Sequence, residues 1–133
     1  MPAPRPLTLL VLAVATVPTA ACGRESEEDR VRSTLRSFAE ATARKDYQAL
    51  CDDLFSKRLV EEVRRTVPCE IALQQSDLAT AKDPKLEVTR VRVEGKRATA
   101  DVKTSAANQK PSQDTVELIQ EDGDWRIISL TSS

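Results

Sequence analysis

The sequence predicts an α+β domain in which N-terminal helices pack on one face of a curved antiparallel sheet. Three observations carry this. Apolar residues recur every three or four positions from Ser26 to Leu78, then every two positions from Leu86 onward. Between the two regimes stands Asp83-Pro84, a pair that breaks helices. Helices followed by runs of strands, without alternation, imply a layered α+β arrangement and not a parallel sheet.

The first helix opens at Ser26, with Glu27, Glu28 and Asp29 at the positive end of its dipole. Val31, Leu35, Phe38, Ala39 and Thr42 form its apolar stripe, and the helix is expected to end near Lys45. Asp46 can cap a second helix carrying Tyr47, Leu50, Cys51 and Leu54 on one side. Ser56 can cap a third with Leu59, Val60 and Val63 inward. Pro68 suits the first turn of a fourth piece, Pro68 to Leu78, bearing Cys69, Ala72 and Leu73.

The run LEVTRVRVEGKRATADV reads as a hairpin. A Gly95-Lys96 turn sets Glu94 against Arg97, Val93 against Ala98, Val91 against Ala100 and Arg90 against Asp101. Apolar pairs then share one face and opposite charges the other, as cross-strand energetics prefer. A turn at Glu94-Gly95 would oppose Arg92 and Arg97 instead. The three-residue step from Val88 to Val91 implies a bulge. Ser105 to Gln113 is read as a polar link to a second hairpin, TVELIQEDGDWRIISL, turning at Asp122-Gly123. Val116, Leu118, Ile119, Ile127, Ile128 and Leu130 occupy both phases of that hairpin, so the pattern sets no register for it.

The first 21 residues read as a processing segment. Arg5 precedes eleven largely apolar residues, Leu7 to Val17, and small residues Thr19-Ala20-Ala21 follow. That run suits a secretory leader and is shorter than the roughly 20 apolar residues of a spanning helix. Cys22 stands directly behind Ala20-Ala21. The motif resembles the lipobox of bacterial lipoproteins, with Thr19 where Leu is usual, and the resemblance implies that Cys22 is the acylated first residue of the mature protein. Its rival is ordinary leader cleavage, which leaves an exposed thiol in an oxidising compartment. With Cys22 assigned to lipid, Cys51 and Cys69 remain as an even pair, which an oxidising compartment favours as a disulfide. A metal site is disfavoured, since two cysteines without histidine supply half a zinc shell, and the redox spacing Cys-x-x-Cys is absent. The division expected is therefore a leader over 1–21, a short membrane tether over 22–27 and a domain over 28–133. The location expected is the extracytoplasmic side of the cell membrane, held by the lipid on Cys22.

Helices followed by strands closing on EDGDWRIISL resemble the nuclear transport factor 2-like (NTF2-like) fold over about residues 28 to 131. Small lipoproteins of this class from high-GC Gram-positive bacteria also carry cysteines at positions like those of Cys51 and Cys69. The resemblance implies a cone-shaped roll enclosing a pocket. It covers isomerases, cyclases, dehydratases and hydrolases as well as binding modules, so fold alone assigns no activity.

Composition narrows the chemistry. The chain has 133 residues, 20 basic and 21 acidic side chains, and no histidine. Nucleic acid as a partner has no electrostatic support. The commonest general base and metal ligand is missing, and three glycines form no phosphate-cradling loop. The serines lack a histidine partner. Asp52-Asp53 and Arg64-Arg65 point about 100° apart along a helix and read as solvated faces. Asp101 reads as an outer-face partner of Arg90. No acid is read as inward, and no catalytic residue, metal or cofactor is expected. Tyr47 and Trp125, each apolar with a polar tip, are the pocket candidates. The expected function is a tethered, non-catalytic module binding a small apolar ligand or an envelope protein. The alternative is an isomerase- or hydro-lyase-like enzyme using a pocket carboxylate.

Overall fold

The computed structural model describes residues 2–3 and 25–132; the leader run and Cys22 lie outside the described residues. Helix α1 spans Glu27–Arg44. Short helices follow: α2 (Tyr47–Ala49), a π-helical turn (Leu50–Leu54), α3 (Lys57–Arg64), α4 (Cys69–Gln74) and α5 (Asp77–Thr80). Four strands complete the chain, β1 (Lys85–Glu94), β2 (Arg97–Ala106), β3 (Gln109–Glu121) and β4 (Asp124–Ser132), in one antiparallel sheet of order β1-β2-β3-β4.

The caps form as the sequence indicates. Ser26 accepts from the Asp29 amide at 3.1 Å, Asp46 from Ala49 at 3.0 Å and Ser56 from Leu59 at 3.1 Å. Each satisfies one otherwise unpaired donor of a helix start. Lys45 ends α1 in the left-handed region. Val31, Leu35, Phe38, Ala41 and Thr42 are the buried stripe of α1, which packs against the sheet at β1 and β4.

Three elements differ from the sequence reading. Residues after Ala49 widen into a π turn, with the Phe55 amide reaching Leu50 O at 2.9 Å; Leu50, Cys51 and Leu54 still face the core. The single piece read over Pro68–Leu78 is two helices. The Ser76 hydroxyl donates to the Leu73 carbonyl at 2.7 Å while its backbone turns extended, ending α4. The stretch Ser105 to Gln113 is no linker. It forms the ends of β2 and β3 around a tight Ala107-Asn108 turn, with Thr104 opposite Ser112 and Lys103 opposite Gln113. Asn108 pins this tip to the helical layer, accepting from the Lys82 amide and donating to Thr80 O, both at 2.8 Å.

The β1–β2 register is the one argued from charge and size, with the shift between Val88 and Arg90. Gly95, at φ 60°, takes the first turn position, as a two-residue hairpin turn requires. Across that pair, Asp101 meets Arg90 in register, but its ion pair is with Arg92 at 3.6 Å. The β3–β4 register shifts between Glu117 and Leu118, so Leu118 pairs with Ile127 and Val116 with Leu130. That bulge explains the two apolar phases of β4: Ile127 and Leu130 are both inward partners, and Ile128 is the extra residue between them. At the β3–β4 turn both Asp122 (φ 52°) and Gly123 (φ 85°) are left-handed. A Gly123→Ala substitution is therefore expected to destabilise by about 1 kcal/mol, read as a lower urea midpoint with unchanged slope.

The core runs continuously from α1 through the π turn to the inner rows of the strands: Ala98, Ala100 and Val102 on β2, Val116 and Leu118 on β3, Trp125 and Ile127 on β4. Cys51 and Cys69 are joined by a disulfide, Cα to Cα 6.1 Å, both sulfurs within this core. Among the described residues no helix is long and apolar enough to cross a membrane.

Candidate functional site

The inner rows of β2 and β3 are apolar for most of their length and change character at one end. Beyond Val102 on β2 comes Thr104; before Val116 on β3 come Asp114 and Ser112. Strand side chains alternate faces, so all three continue the inward rows. Register then brings them together, since Thr104 opposes Ser112 and Val102 opposes Asp114. Asp114 Oδ2 accepts from Thr104 Oγ1 at 2.7 Å and from Ser112 Oγ at 2.8 Å, and the two hydroxyls lie 2.8 Å apart.

This polar triangle lines a cleft of about 310 Å³ between the last turns of α1, α5 and the sheet. Phe38, Leu78, Leu86 and Leu130 supply apolar wall, and Lys85, Lys110 and Asp77 contribute charge. Thr42 adds its methyl, because its hydroxyl is already spent on the Phe38 carbonyl at 2.8 Å. Leu130 is 46% exposed, a large apolar side chain that the fold leaves uncovered at the cleft. The volume sits at the low end of the roughly 300–1,000 Å³ of small-molecule sites, and an apolar wall with a few converging polar groups is their usual make-up.

Neither Tyr47 nor Trp125 lines this cleft. Tyr47 is half-buried against the core beside the π turn. Trp125 is buried near the start of α1, where its Nε1 donates to Glu27 Oε2 at 2.7 Å. Glu27 also accepts from Gln120 at 2.8 Å and from Arg30 at 2.9 Å, and Arg30 donates to the Gly123 carbonyl. The Trp125 hydrogen bond foremost, then Arg30 and Gln120, hold the Glu27 carboxyl below its ordinary value of 4.5, against partial desolvation. These are bonds that fasten a helix end to a strand turn. Asp52 and Asp53 are exposed, Asp52 lying 3.9 Å from Arg64. Among the described residues no three His, Cys, Asp or Glu side chains gather as a metal site.

Asp114 is the residue that the sequence reading missed, since it treated every acid as outward. The signal was present in Asp114, Val116 and Leu118, three positions two apart on one strand. Ending the polar link at Gln113 and starting the hairpin at Thr115 left Asp114 outside both and concealed it.

Solved structures share this architecture. An NTF2-like protein of unknown function from Shewanella baltica aligns with TM-score 0.58 at 16% identity, covering 78% of this chain and 90% of that one. One from Silicibacter pomeroyi, also of unknown function, aligns at 0.53 and 19% identity over 78% and 92%. A de novo designed NTF2-fold protein aligns at 0.52 and 15% identity over 80% and 87%. The aligned region is thus nearly the whole of those proteins. No curated protein matches the sequence. The family model described as "Putative lumazine-binding" matches residues 26–131, from the cap of α1 to the last residue but one of β4, and the chain belongs to that family, built on the NTF2-like fold.

Proposed function

We propose that the protein is a lipid-anchored, extracytoplasmic binding protein of the bacterial envelope, from a high-GC Gram-positive organism, whose cleft holds a small organic ligand. The cleft itself carries this reading: apolar on most of its wall, with one hydrogen-bonding cluster, Asp114-Thr104-Ser112, to orient what enters. The family's description names lumazine, a two-ring heterocycle bearing carbonyls and ring N–H groups, and a ligand of that size suits about 310 Å³.

The lipobox-like run before Cys22 supports the anchor, and α1 begins only a few residues after it. Arg30 and Glu27 tie the start of α1 to the β3–β4 turn, whereas the cleft draws on Phe38 and Thr42. The fifteen residue-to-residue steps from Glu27 to Thr42 rise about 22 Å along the helix. A tether at Cys22 would therefore hold the cleft at the end remote from the bilayer, open to ligands from the aqueous side.

A second reading rests on Asp114, a carboxylate inside the cleft: an isomerase- or hydro-lyase-like enzyme using it as the base. Native mass spectrometry of the protein purified from its own cells decides between them. A binding protein is expected to carry a small molecule that Ala39→Trp, which fills the cleft, displaces. A compound turned over by the wild type and left unchanged by Asp114→Asn would establish the enzyme. An empty cleft that also takes up no apolar probe would refute both. For the anchor, palmitate labelling lost in Cys22→Ser is the expected result, and unchanged labelling would refute it.

A further inference from the structure

We propose that Asp114 selects the ligand by its hydrogen-bond donors: the cleft takes an uncharged molecule whose amide- or imide-type N–H is received at the inner triangle, with its carbonyl edge turned towards Lys85 and Lys110. This rests on reading the cleft as a ligand site and names the chemistry of that ligand.

Three oxygens meet in the triangle, at 2.7, 2.8 and 2.8 Å, and two hydroxyls supply only two hydrogens. Because both hydroxyls donate to Asp114 Oδ2, both hydrogens lie along edges of the triangle. Nothing remains to donate outward, and every free lone pair is an acceptor. Asp114 Oδ1 has no hydrogen-bond partner among the described residues and is not enclosed, so it is the strongest of these acceptors. A ligand that presents a carbonyl here meets oxygen against oxygen. One that presents a methyl strips water from a carboxylate and returns nothing, a loss that burial makes expensive.

The ring of charge argues for a neutral donor over an ammonium group. Lys85 and Lys110 are exposed and take no ion-pair partner among the described residues, so a cation would pass two like charges on its way to Asp114, with Asp77 the one other carboxylate of the lining. It would also surrender a much larger hydration energy than a neutral N–H does. The same two lysines suit carbonyl oxygens on the outer edge of the ligand. Donor inside and acceptor outside, on a compact apolar body, defines the class.

The test uses the chain from Gly23 onward, which contains the region that makes up nearly the whole of the solved relatives, with two matched probes: lumazine, which has two ring N–H groups, and 1,3-dimethyllumazine, which has none. Anilinonaphthalene sulfonate, displaced by Ala39→Trp, reports the cleft independently. Lumazine is expected to bind saturably and the dimethyl compound about 10- to 100-fold more weakly. Asp114→Leu should bring the two within about twofold of each other, with Asp114→Asn between; circular dichroism checks that each variant is folded. Equal binding of both probes to the wild type overturns the proposal, as does discrimination that survives Asp114→Leu. Uptake of the naphthalene dye without lumazine overturns the proposal alone and leaves the cleft as a site of other specificity. If neither probe binds, the ligand-site reading falls with it.

Discussion

Replacing Cys51 and Cys69 together by serine is expected to lower the unfolding free energy by about 3 kcal/mol, the chain-entropy value for a loop of this length. The bridge spans 18 residues and both cysteines are nearly fully buried, at 3% and 2% exposure. What it fastens makes the loss severe. Between Tyr47 and Thr80 the chain forms only short helical pieces, the longest being Lys57–Arg64. Isolated helices shorter than about 12–15 residues are marginal in water, so these depend on being held against α1 and β4. For a domain of this size the loss corresponds to a melting temperature lower by about 10 °C or more. Thermal unfolding followed by circular dichroism reads it, and a reductant should reproduce the drop in the wild type while leaving the double serine variant unchanged. Hydrogen exchange should show protection lost first over residues 47–80, with the β2–β3 ladder holding longest. A double variant that melts within two or three degrees of the wild type would show that packing alone secures the short helices.

The sequence was most legible where one face of an element is buried. Four of the five residues read into the α1 stripe (Ala41 is buried where Ala39 was expected), three of the caps and the four β1–β2 pairs next to the turn follow from period, cap chemistry and cross-strand charge. Legibility failed where the deciding contact is between distant segments or where both faces are polar. Residues 105–113 lack alternation because both faces are polar there, and the tip forms because Asn108 reaches Thr80 and Lys82. Nothing local encodes that contact. The Ile127-Ile128 doublet looked ambiguous because a bulge was being read as a strand of constant phase. Treating Ser105 to Gln113 as a link also hid the cleft, since a strand through Ser112 and Asp114 sets both on the inner row. Trp125 drew attention as an amphipathic aromatic, and its polar tip does find a partner. That partner is Glu27, on the first turn of α1, and the pair closes the fold at the end away from the cleft.

Trp125→Ala is expected to be the costliest single substitution, at about 3–5 kcal/mol for a buried aromatic cut to alanine. Trp125 is 3% exposed and joins β4 to α1 both by packing and by the 2.7 Å bond from its indole N–H to Glu27. Trp125→Phe separates the two contributions, since it keeps most of the ring and removes the donor. The electrostatic part carries its own signature in pH. Glu27 has its pKa lowered in the folded state, first by Trp125 and then by Arg30 and Gln120. A carboxyl whose folded value is depressed contributes stability above its unfolded pKa and loses it as pH falls through the folded one. The wild type should therefore shed stability on acidification below about pH 4.5. Glu27→Gln, having no proton to take up, should be flatter over the same range, the two curves converging at the acid end. Trp125→Phe should flatten the acid limb as well, because the largest cause of the shift has gone. Urea midpoints measured from pH 7 down to pH 3 on all three proteins read this directly. If Glu27→Gln and the wild type keep parallel curves throughout, the clasp between α1 and β4 is held by the packing of the indole ring, and the hydrogen bond contributes orientation without stability.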